Sequence, residues 1–385
     1  MFHEHTSETS ITLLKGVTWD HPRAYSSLVA ASTEYARNNG VVVQWERRSL
    51  QAFADAPIDE LARNYDLIVL DHPHVGQIAE TGSLAALPKP NDATLSSLGG
   101  SLESYIWNNK LWALPIDGAC QMAASREDLS PRPLPSWDKV FSASPRGFRL
   151  ITPLLPIDAF DMMLTLVASM GEIDLPKSDT EFISKANGLV ALGILKALYK
   201  LGPADAINWN PIDVLELMAT TDEFAYAPCL FGYINYARPG FRAHALTFGE
   251  LPIARQGFPV RGILGGAGLG VSSQSYQQSA AKAFAAWVAS RAVQSGIYID
   301  NDGQPAHRAA WLENKNHPAF RGFLNGGFPA MENAWTRPRD PWFLEFVDDV
   351  CDLFPDFFLK DQALQHMLDA INALYRKHHK QDAYA

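Results

Sequence analysis

The first 73 residues alternate between apolar runs and helix-like segments, and this order constrains the fold more than any other feature. Residues 11–14 and 41–45 are predicted strands, and residues 25–37 between them have the apolar spacing of an amphipathic helix. A short helix is predicted over 58–65. The run over 66–73 is apolar without alternation, which is typical of a strand buried in a parallel sheet. This β-α-β-α-β order predicts the opening of a doubly wound α/β lobe.

Length and composition limit what the rest of the chain can be. A chain of 385 residues is too long for one ordinary domain and suits two lobes of roughly 150–200 residues each. Hydrophobic residues make up 47% and charged residues 19%, so a packed core is expected. The net charge of −10 argues against a nucleic-acid partner. Three widely spaced cysteines predict buried thiols, with a single disulfide bridge as the open alternative.

The later part of the chain continues to mix strands and helices. Strands are predicted over 110–115, within 224–236 and within 262–273, and helices over 136–141, 158–171, 179–201, 212–220, 279–292, 341–354 and 361–379. No apolar run approaches the 18 residues of a membrane-spanning helix. The N-terminal MFHEHTSETS lacks the basic and apolar regions of a signal peptide, so the chain is expected either to be cytoplasmic or to have lost a leader.

Four segments, in register along the chain, match motifs of one protein family. They are YDLIVLDHPHVGQIAETGSLAAL (65–87), YIWNNKLWALPIDGACQMAASREDL (105–129), SWDKV (136–140) and the glycine-rich strand and helix that begin RGILGGAGLGVSS (261–311). With these segments the chain resembles the family 1 extracellular solute-binding proteins, the maltose-binding-protein-like sugar receptors of ABC importers.

The resemblance implies a two-lobed, periplasmic-binding-protein-like α/β fold of type II. Each lobe would be a sheet flanked by helices, joined by crossover hinge segments, with the ligand in the cleft between the lobes. Residues 1–115 plus 250–305 would form the first lobe, and residues 116–249 plus 306–385 the second. The resemblance also implies a periplasmic location, with the membrane subunits of an ABC transporter as partners. The protein is expected to be a monomer without a cofactor or metal.

Aromatic and charged side chains follow the first predicted strand, at the sheet edge where such folds bind ligands. Trp19 is expected to stack on the apolar face of a ligand, with a hydrophobic plug over the sheet end as the alternative. His21 and Arg23 lie at a predicted helix N-terminus and are expected to contact the ligand. The alternative is that Asp20 caps the helix and that His21 and Arg23 are solvated.

The third predicted strand and the crossing between lobes supply further polar candidates. Asp71 and His72 are expected to hydrogen-bond ligand hydroxyls, against the alternative of a helix cap beside surface histidines. A metal site at these histidines is not expected, since no cysteine or second carboxylate supports one. Asp117 and Gln121 follow the crossing and are expected to border the cleft, whereas a structural Asp beside Gly118 is the alternative.

The remaining candidates lie in the predicted second lobe and the returning strand. By resemblance, Phe231 and Tyr233 supply a stacking aromatic face, with core packing as the alternative. Gly265 and Gly266 are expected to let backbone amides approach a ligand, or else to form a bulge. His307 lies just past a turn near the expected third crossing.

No nucleophile, zinc or phosphate-loop motif is present in the sequence, which favours reversible binding over catalysis. The sequence therefore predicts a solute-binding receptor for a small polar ligand, with a sugar first and a small charged metabolite second. Two alternatives stay open: a cytoplasmic regulatory or scaffold protein on the same fold, and a hydrolase or lyase of a small polar metabolite.

Overall fold

The structure is a computed structural model that describes residues 11–49, 57–91, 96–129, 134–143 and 149–382. The N-terminal ten residues, for which no signal peptide is predicted, lie outside this part. The strands are β1 (Thr12–Trp19), β2 (Val41–Arg48), β3 (Leu67–Leu70), β4 (Ile106–Trp107), β5 (Lys110–Leu111), β6 (Ala113–Pro115), β7 (Ala119–Ser125), β8 (Tyr226–Phe231), β9 (Thr247–Gly249), β10 (Leu264–Gly265) and β11 (Gly268–Val271). The helices are α1 (Pro22–Asn39), α2 (Ile58–Asn64), α3 (Val75–Thr81), α4 (Ser101–Ser104), α5 (Trp137–Ala143), α6 (Pro156–Ser169), α7 (Lys185–Leu201), α8 (Pro211–Thr220), α9 (Gln278–Val288), α10 (Arg291–Val293), α11 (Arg308–Asn314), α12 (Phe323–Glu332), α13 (Phe343–Cys351), α14 (Phe354–Leu359) and α15 (Leu364–Asp382).

The first lobe is built on a five-stranded sheet with the order β2-β1-β3-β11-β6. β1 pairs in parallel with β2 and with β3, which confirms the predicted β-α-β-α-β unit with α1 and α2 as its crossings. β11 returns from much later in the chain and runs antiparallel to both β3 and β6. β1 continues to Trp19 instead of ending at residue 14, because it pairs with β2 over its whole length.

α1 begins directly after β1, so its first turn lies at the carboxyl end of the sheet. The Nδ1 atom of His21 accepts a hydrogen bond from the backbone N–H of Arg23 at 3.1 Å and caps the helix. The alternative of a cap at Asp20 is wrong, since this carboxylate faces solvent and pairs with Arg47 at 3.1 Å. The helix ends at Gly40, whose φ of 65° favours glycine.

The second lobe holds an antiparallel sheet in which β7 pairs with β8, β9 and β10. α6 is buried along nearly its whole length, as its apolar sequence requires, and packs against α7. α7 begins at Lys185 and not at residue 179, because the Ser184 side chain caps it. The predicted strand over 110–115 is divided in two, since β5 pairs with β4 whereas β6 joins the first sheet.

Three segments of the chain cross between the lobes side by side. The backbone N–H of Ala267, on the second crossing, donates to the carbonyl of Asp117, on the first, at 3.0 Å. The backbone N–H of Gly118 donates to the carbonyl of Gln304, on the third crossing, at 3.0 Å. These hydrogen bonds hold the three crossings together as one narrow connection between the sheets.

The buried cores show where the chain changes lobes. Leu251 and Ile263 pack in a second-lobe core, and the chain rejoins the first-lobe core only at Ala267. β10 still pairs with β7, so residues 264–265 belong to the antiparallel sheet. No helix of the described chain is long and apolar enough to cross a membrane. The three cysteines are free thiols.

Candidate functional site

A cavity of about 970 Å³ lies between the two lobes, at the carboxyl ends of β1 and β3. Pockets of this size hold small organic ligands. The predicted site residues on its wall are Trp19, Arg23, Asp71, Asp117, Phe231, Tyr233, Gly265 and Gly266. The predicted site residues that do not line it are His21, His72, Gln121 and His307. The part of each residue in ligand binding stays a prediction.

Trp19 and Asp71 reach the cavity from the same sheet edge, since they follow adjacent parallel strands. Trp19 is 5% exposed and packs in the first-lobe core, so it is at once a core residue and part of the cavity wall. Stacking on a ligand and plugging the end of the sheet are the two alternatives that the sequence allows for Trp19. Burial raises the pKa of Asp71 to about 6, although the nearby Arg337 guanidinium favours its charged form.

Arg23 and Asp117 form a buried ion pair where α1 meets the first crossing. Arg23 Nε donates to Asp117 Oδ2 at 2.7 Å, Nη2 donates to Oδ1, and the side chains are 3% and 0% exposed. Arg23 Nη1 donates to the backbone carbonyl of Gly232 in the second lobe at 3.2 Å. Burial disfavours the charge on Arg23, but Asp117 outweighs it and keeps the pKa of Arg23 above its ordinary value. Arg23 thus fastens α1 to the crossing and to the second lobe.

The second lobe faces this pair with an aromatic loop. The Arg23 guanidinium lies 4.4 Å from the centre of the Tyr233 ring, and burial raises the pKa of Tyr233 to about 12. A Cβ on Gly265 would lie 2.5 Å from the ring of Phe231, and Gly266 has a φ of 87° that favours glycine. The two glycines therefore let the second crossing pack closely against the aromatic wall.

α6 supplies acidic residues that the sequence interpretation missed. Asp158 and Asp161 line the cavity from the first two turns of this helix, beside Arg337 from the chain segment that precedes α13. Arg337 Nη1 donates to both carboxylate oxygens of Asp161, at 3.1 and 3.2 Å. Asp158 is 6% exposed, and burial raises its pKa well above the ordinary value. The sequence signal for Asp158 and Asp161 is a pair of acids three positions apart in a helix that is otherwise mostly apolar.

The two predicted histidines after β1 and β3 lie behind the wall. The His21 ring packs between the lobes, with its centre 5.0 Å from that of Tyr233, and burial lowers its pKa to about 3. His72 is 1% exposed and meets the Tyr105 ring edge-on at 6.3 Å, and burial lowers its pKa well below the ordinary value. Both imidazoles are therefore neutral at physiological pH and pack within the protein.

Gln121 and His307 make structural hydrogen bonds away from the cavity. Gln121 Oε1 accepts from Thr165 Oγ1 at 2.5 Å and from Cys229 Sγ at 3.1 Å, which joins β7 to α6 and β8. His307 Nδ1 accepts from the backbone N–H of Ala309 at 3.2 Å and caps α11. In both cases the predicted polar side chain serves the fold of the second lobe.

One group of side chains within the described residues has the spacing of a metal site: Asp128, Asp222 and His244. Arg126 already binds both carboxylates of this group. Its Nη2 donates to Asp128 at 2.6 Å and to Asp222 at 2.8 Å, and this hydrogen bonding lowers the pKa of Asp128 to about 2. The two carboxylates are thus held by a guanidinium, on a surface that is not part of the cavity wall.

The chain segment over 336–341 bridges the two lobes beside the cavity. Arg337 binds Asp161 in the second lobe, as described above. Arg339 Nη1 donates to the backbone carbonyls of residues 103, 104 and 106 in the first lobe, at 2.8, 3.0 and 3.0 Å. This segment therefore holds the two lobes together beside the cavity.

The same two-lobed arrangement occurs in solved structures of solute-binding proteins. Maltose-bound MalE3 of T. maritima has a TM-score of 0.80 at 16% identity, over 95% of this chain and 99% of that one. An ABC transporter solute-binding protein of Agrobacterium radiobacter K84, in complex with ribitol, has a TM-score of 0.79 at 18% identity, over 95% and 98%. One from Thermotoga lettingae TMO, bound to alpha-D-tagatose, has a TM-score of 0.79 at 16% identity, over 96% and 100%. No protein-family model matches the chain. The likeness shows the fold, which is that of maltose-binding-protein-like ABC solute-binding proteins.

Proposed function

We propose that this protein is a receptor that reversibly binds one small polar solute, with a sugar as the first candidate, in the cavity between its lobes. The observation that carries the proposal is the composition of the wall, to which both lobes contribute flat aromatic faces and carboxylates. Aromatic faces stack on the C–H faces of sugar rings, and carboxylates accept hydrogen bonds from hydroxyls. The structural neighbours bound to maltose, ribitol and tagatose support it.

In this proposal the two lobes grip the solute from opposite sides. Trp19 and Asp71 contact it from the first lobe, and Phe231 contacts it from the second. Closing of the lobes about the three crossings removes water from the solute and strengthens its hydrogen bonds. Arg23 and Asp117 act as positioning residues, because the guanidinium nitrogens are all engaged by protein groups.

Delivery of the solute to the membrane subunits of an ABC importer belongs to the same proposal. The resemblance of the sequence segments implies it, and with it a periplasmic location. The structural neighbours are binding proteins, which agrees with a receptor that leaves its ligand unchanged.

The test is a thermal-shift screen with maltose, ribitol and tagatose, followed by overnight incubation with the best ligand and its recovery for mass spectrometry. Ligand at about 100 times Kd stabilises the native state by about 2.7 kcal/mol, which raises Tm measurably. Asp71→Asn is expected to reduce the shift, whereas the surface variant Asp20→Asn is the matched control and keeps it. Conversion of the ligand in excess over protein would contradict a receptor and favour a hydrolase or lyase.

A further inference from the structure

The wall of the cavity carries more acidic than basic side chains. Its guanidiniums, among the described residues, are Arg23 and Arg337, and each is bound by a carboxylate of its own. Beyond those two ion pairs, the wall also carries Asp71 and Asp158, together with Glu345 and Asp348 of α13. Burial lowers the pKa of His74, the histidine on the wall, to about 4, so this ring adds no positive charge.

Asp158 is the group that most clearly lacks a partner. Its side chain is buried, it faces the cavity, and its Oδ2 atom has no hydrogen-bond partner among the described residues. Burial of a carboxylate oxygen without a hydrogen-bond partner costs free energy. Such an oxygen therefore indicates a site where a ligand donates the missing hydrogen bond. Two further carboxylates, Asp161 and Asp213, raise the pKa of Asp158 in addition to burial, and Arg337 opposes them.

Asp71 makes the corresponding contribution from the first lobe. Among the described residues, Asp71 has no salt bridge. The Arg337 charge lowers the pKa of Asp71 and that of Asp158, whereas the Asp161 charge raises both. Asp71 and Asp158 line the same cavity, one from each lobe. Trp19 and Phe231 line the same space, and aromatic faces attract cations as well as sugar rings.

We propose that the solute carries a protonated amine, which binds Asp158 of the second lobe. This inference rests on the proposed receptor function and narrows its ligand class from neutral sugars to polyhydroxylated or simple organic amines. An ammonium group has three N–H donors and no acceptor, so it donates to the unpartnered Oδ2 atom of Asp158 and stabilises the charged form of this carboxylate. A neutral hydroxyl supplies one donor and no charge.

Matched ligand pairs that differ only in an amine for a hydroxyl separate this proposal from the broader one. The pairs are glucosamine and glucose, 1-amino-1-deoxysorbitol and sorbitol, and 4-amino-1-butanol and 1,4-butanediol, measured by isothermal titration calorimetry at pH 7.5. We expect the amine of at least one pair to bind about tenfold to a hundredfold more tightly than its hydroxyl partner, the scale of a charge-assisted hydrogen bond. If the hydroxyl partners bind equally well or better, the amine proposal is overturned and the receptor function stands. If no member binds and the neutral sugars of the earlier screen fail as well, both proposals are overturned.

Variants then locate the amine. Asp158→Asn keeps the shape of the side chain but removes its charge, and it is expected to weaken amine binding about tenfold while it leaves binding of the hydroxyl partner unchanged. Asp71→Asn is expected to act in the same direction. Asp138→Asn, an exposed acid on α5, is the matched control and keeps full affinity. Equal loss of amine and hydroxyl binding in Asp158→Asn would overturn the assignment of the amine to this carboxylate.

Discussion

Replacement of Arg23 by Met should remove more stability than almost any other single change in the protein. Methionine keeps the length and apolar stem of the side chain but leaves the Asp117 carboxylate, which is fully buried, without its cation. Removal of one partner of a buried ion pair costs about 3–5 kcal/mol of unfolding free energy, because the other charge stays buried. The lost hydrogen bond to Gly232 and the lost contact with the Tyr233 ring each add about 1 kcal/mol.

The loss should also depend on pH in a definite direction. Burial already raises the pKa of Asp117, and Arg23 opposes that rise, so the variant's carboxyl titrates at still higher pH. A group whose folded pKa lies above its unfolded value stabilises the fold below the unfolded pKa, and that stability is lost as pH rises through the folded pKa. The difference between Arg23→Met and the wild type should therefore be smaller near pH 4 than at pH 8.

Urea unfolding followed by tryptophan fluorescence measures both effects. Asp117→Asn should lose a similar amount, because it leaves Arg23 buried and unpaired. The double variant Arg23→Met/Asp117→Asn should lose clearly less than the sum of the single losses, since neither charge remains. A loss below about 1 kcal/mol at pH 8, or additive losses in the double variant, would refute the reasoning.

Further predictions concern the cavity wall and the bridging segment. Asp158→Asn should unfold at the same urea concentration as the wild type near pH 4, but it should be more stable by roughly 1–3 kcal/mol at pH 9. The reason is that the raised pKa of Asp158 costs the wild type stability as pH rises. Equal stability of the two proteins at both pH values would contradict this. Trp19→Ala should lose about 3–5 kcal/mol of unfolding free energy and also tenfold or more in ligand affinity, because Trp19 packs in the core and lines the cavity. A loss of stability alone would contradict the role of Trp19 in binding, and a loss of affinity alone would contradict its role in the core. Arg339→Met should increase the radius of gyration of the ligand-free protein in small-angle scattering, since it removes three hydrogen bonds between the lobes; Arg308→Met, which breaks a pair within the second lobe, is the control and should leave that radius unchanged.

The sequence predicts the first lobe well because local patterns determine it. The unalternating run before Asp71 could only be a buried parallel strand, and the position of Trp19 after the preceding strand then placed both residues at one sheet edge. The helix cap was missed because Asp20 and His21 are neighbours that can both cap, and only the packing of His21 between the lobes decides between them.

The second-lobe wall could not be predicted in the same way. The periodicity of residues 158–171 indicates a helix, but it does not say that the N-terminus of that helix points at the cavity. Arg337 pairs with Asp161 across 176 residues of chain, and no local signal links the two. Long-range packing therefore decides which acids meet the ligand and which, like Asp128, pair with an arginine on the surface.

The central claim is that one small polar solute binds between the lobes. A crystal structure of the protein with the ligand that gives the largest thermal shift tests it most directly. The account predicts one ligand molecule, chemically unchanged, within the cavity and in contact with Trp19 and Asp71 from the first lobe and with Phe231 and Asp158 from the second. A ligand bound elsewhere on the surface, or a reaction product in the cavity, would contradict it.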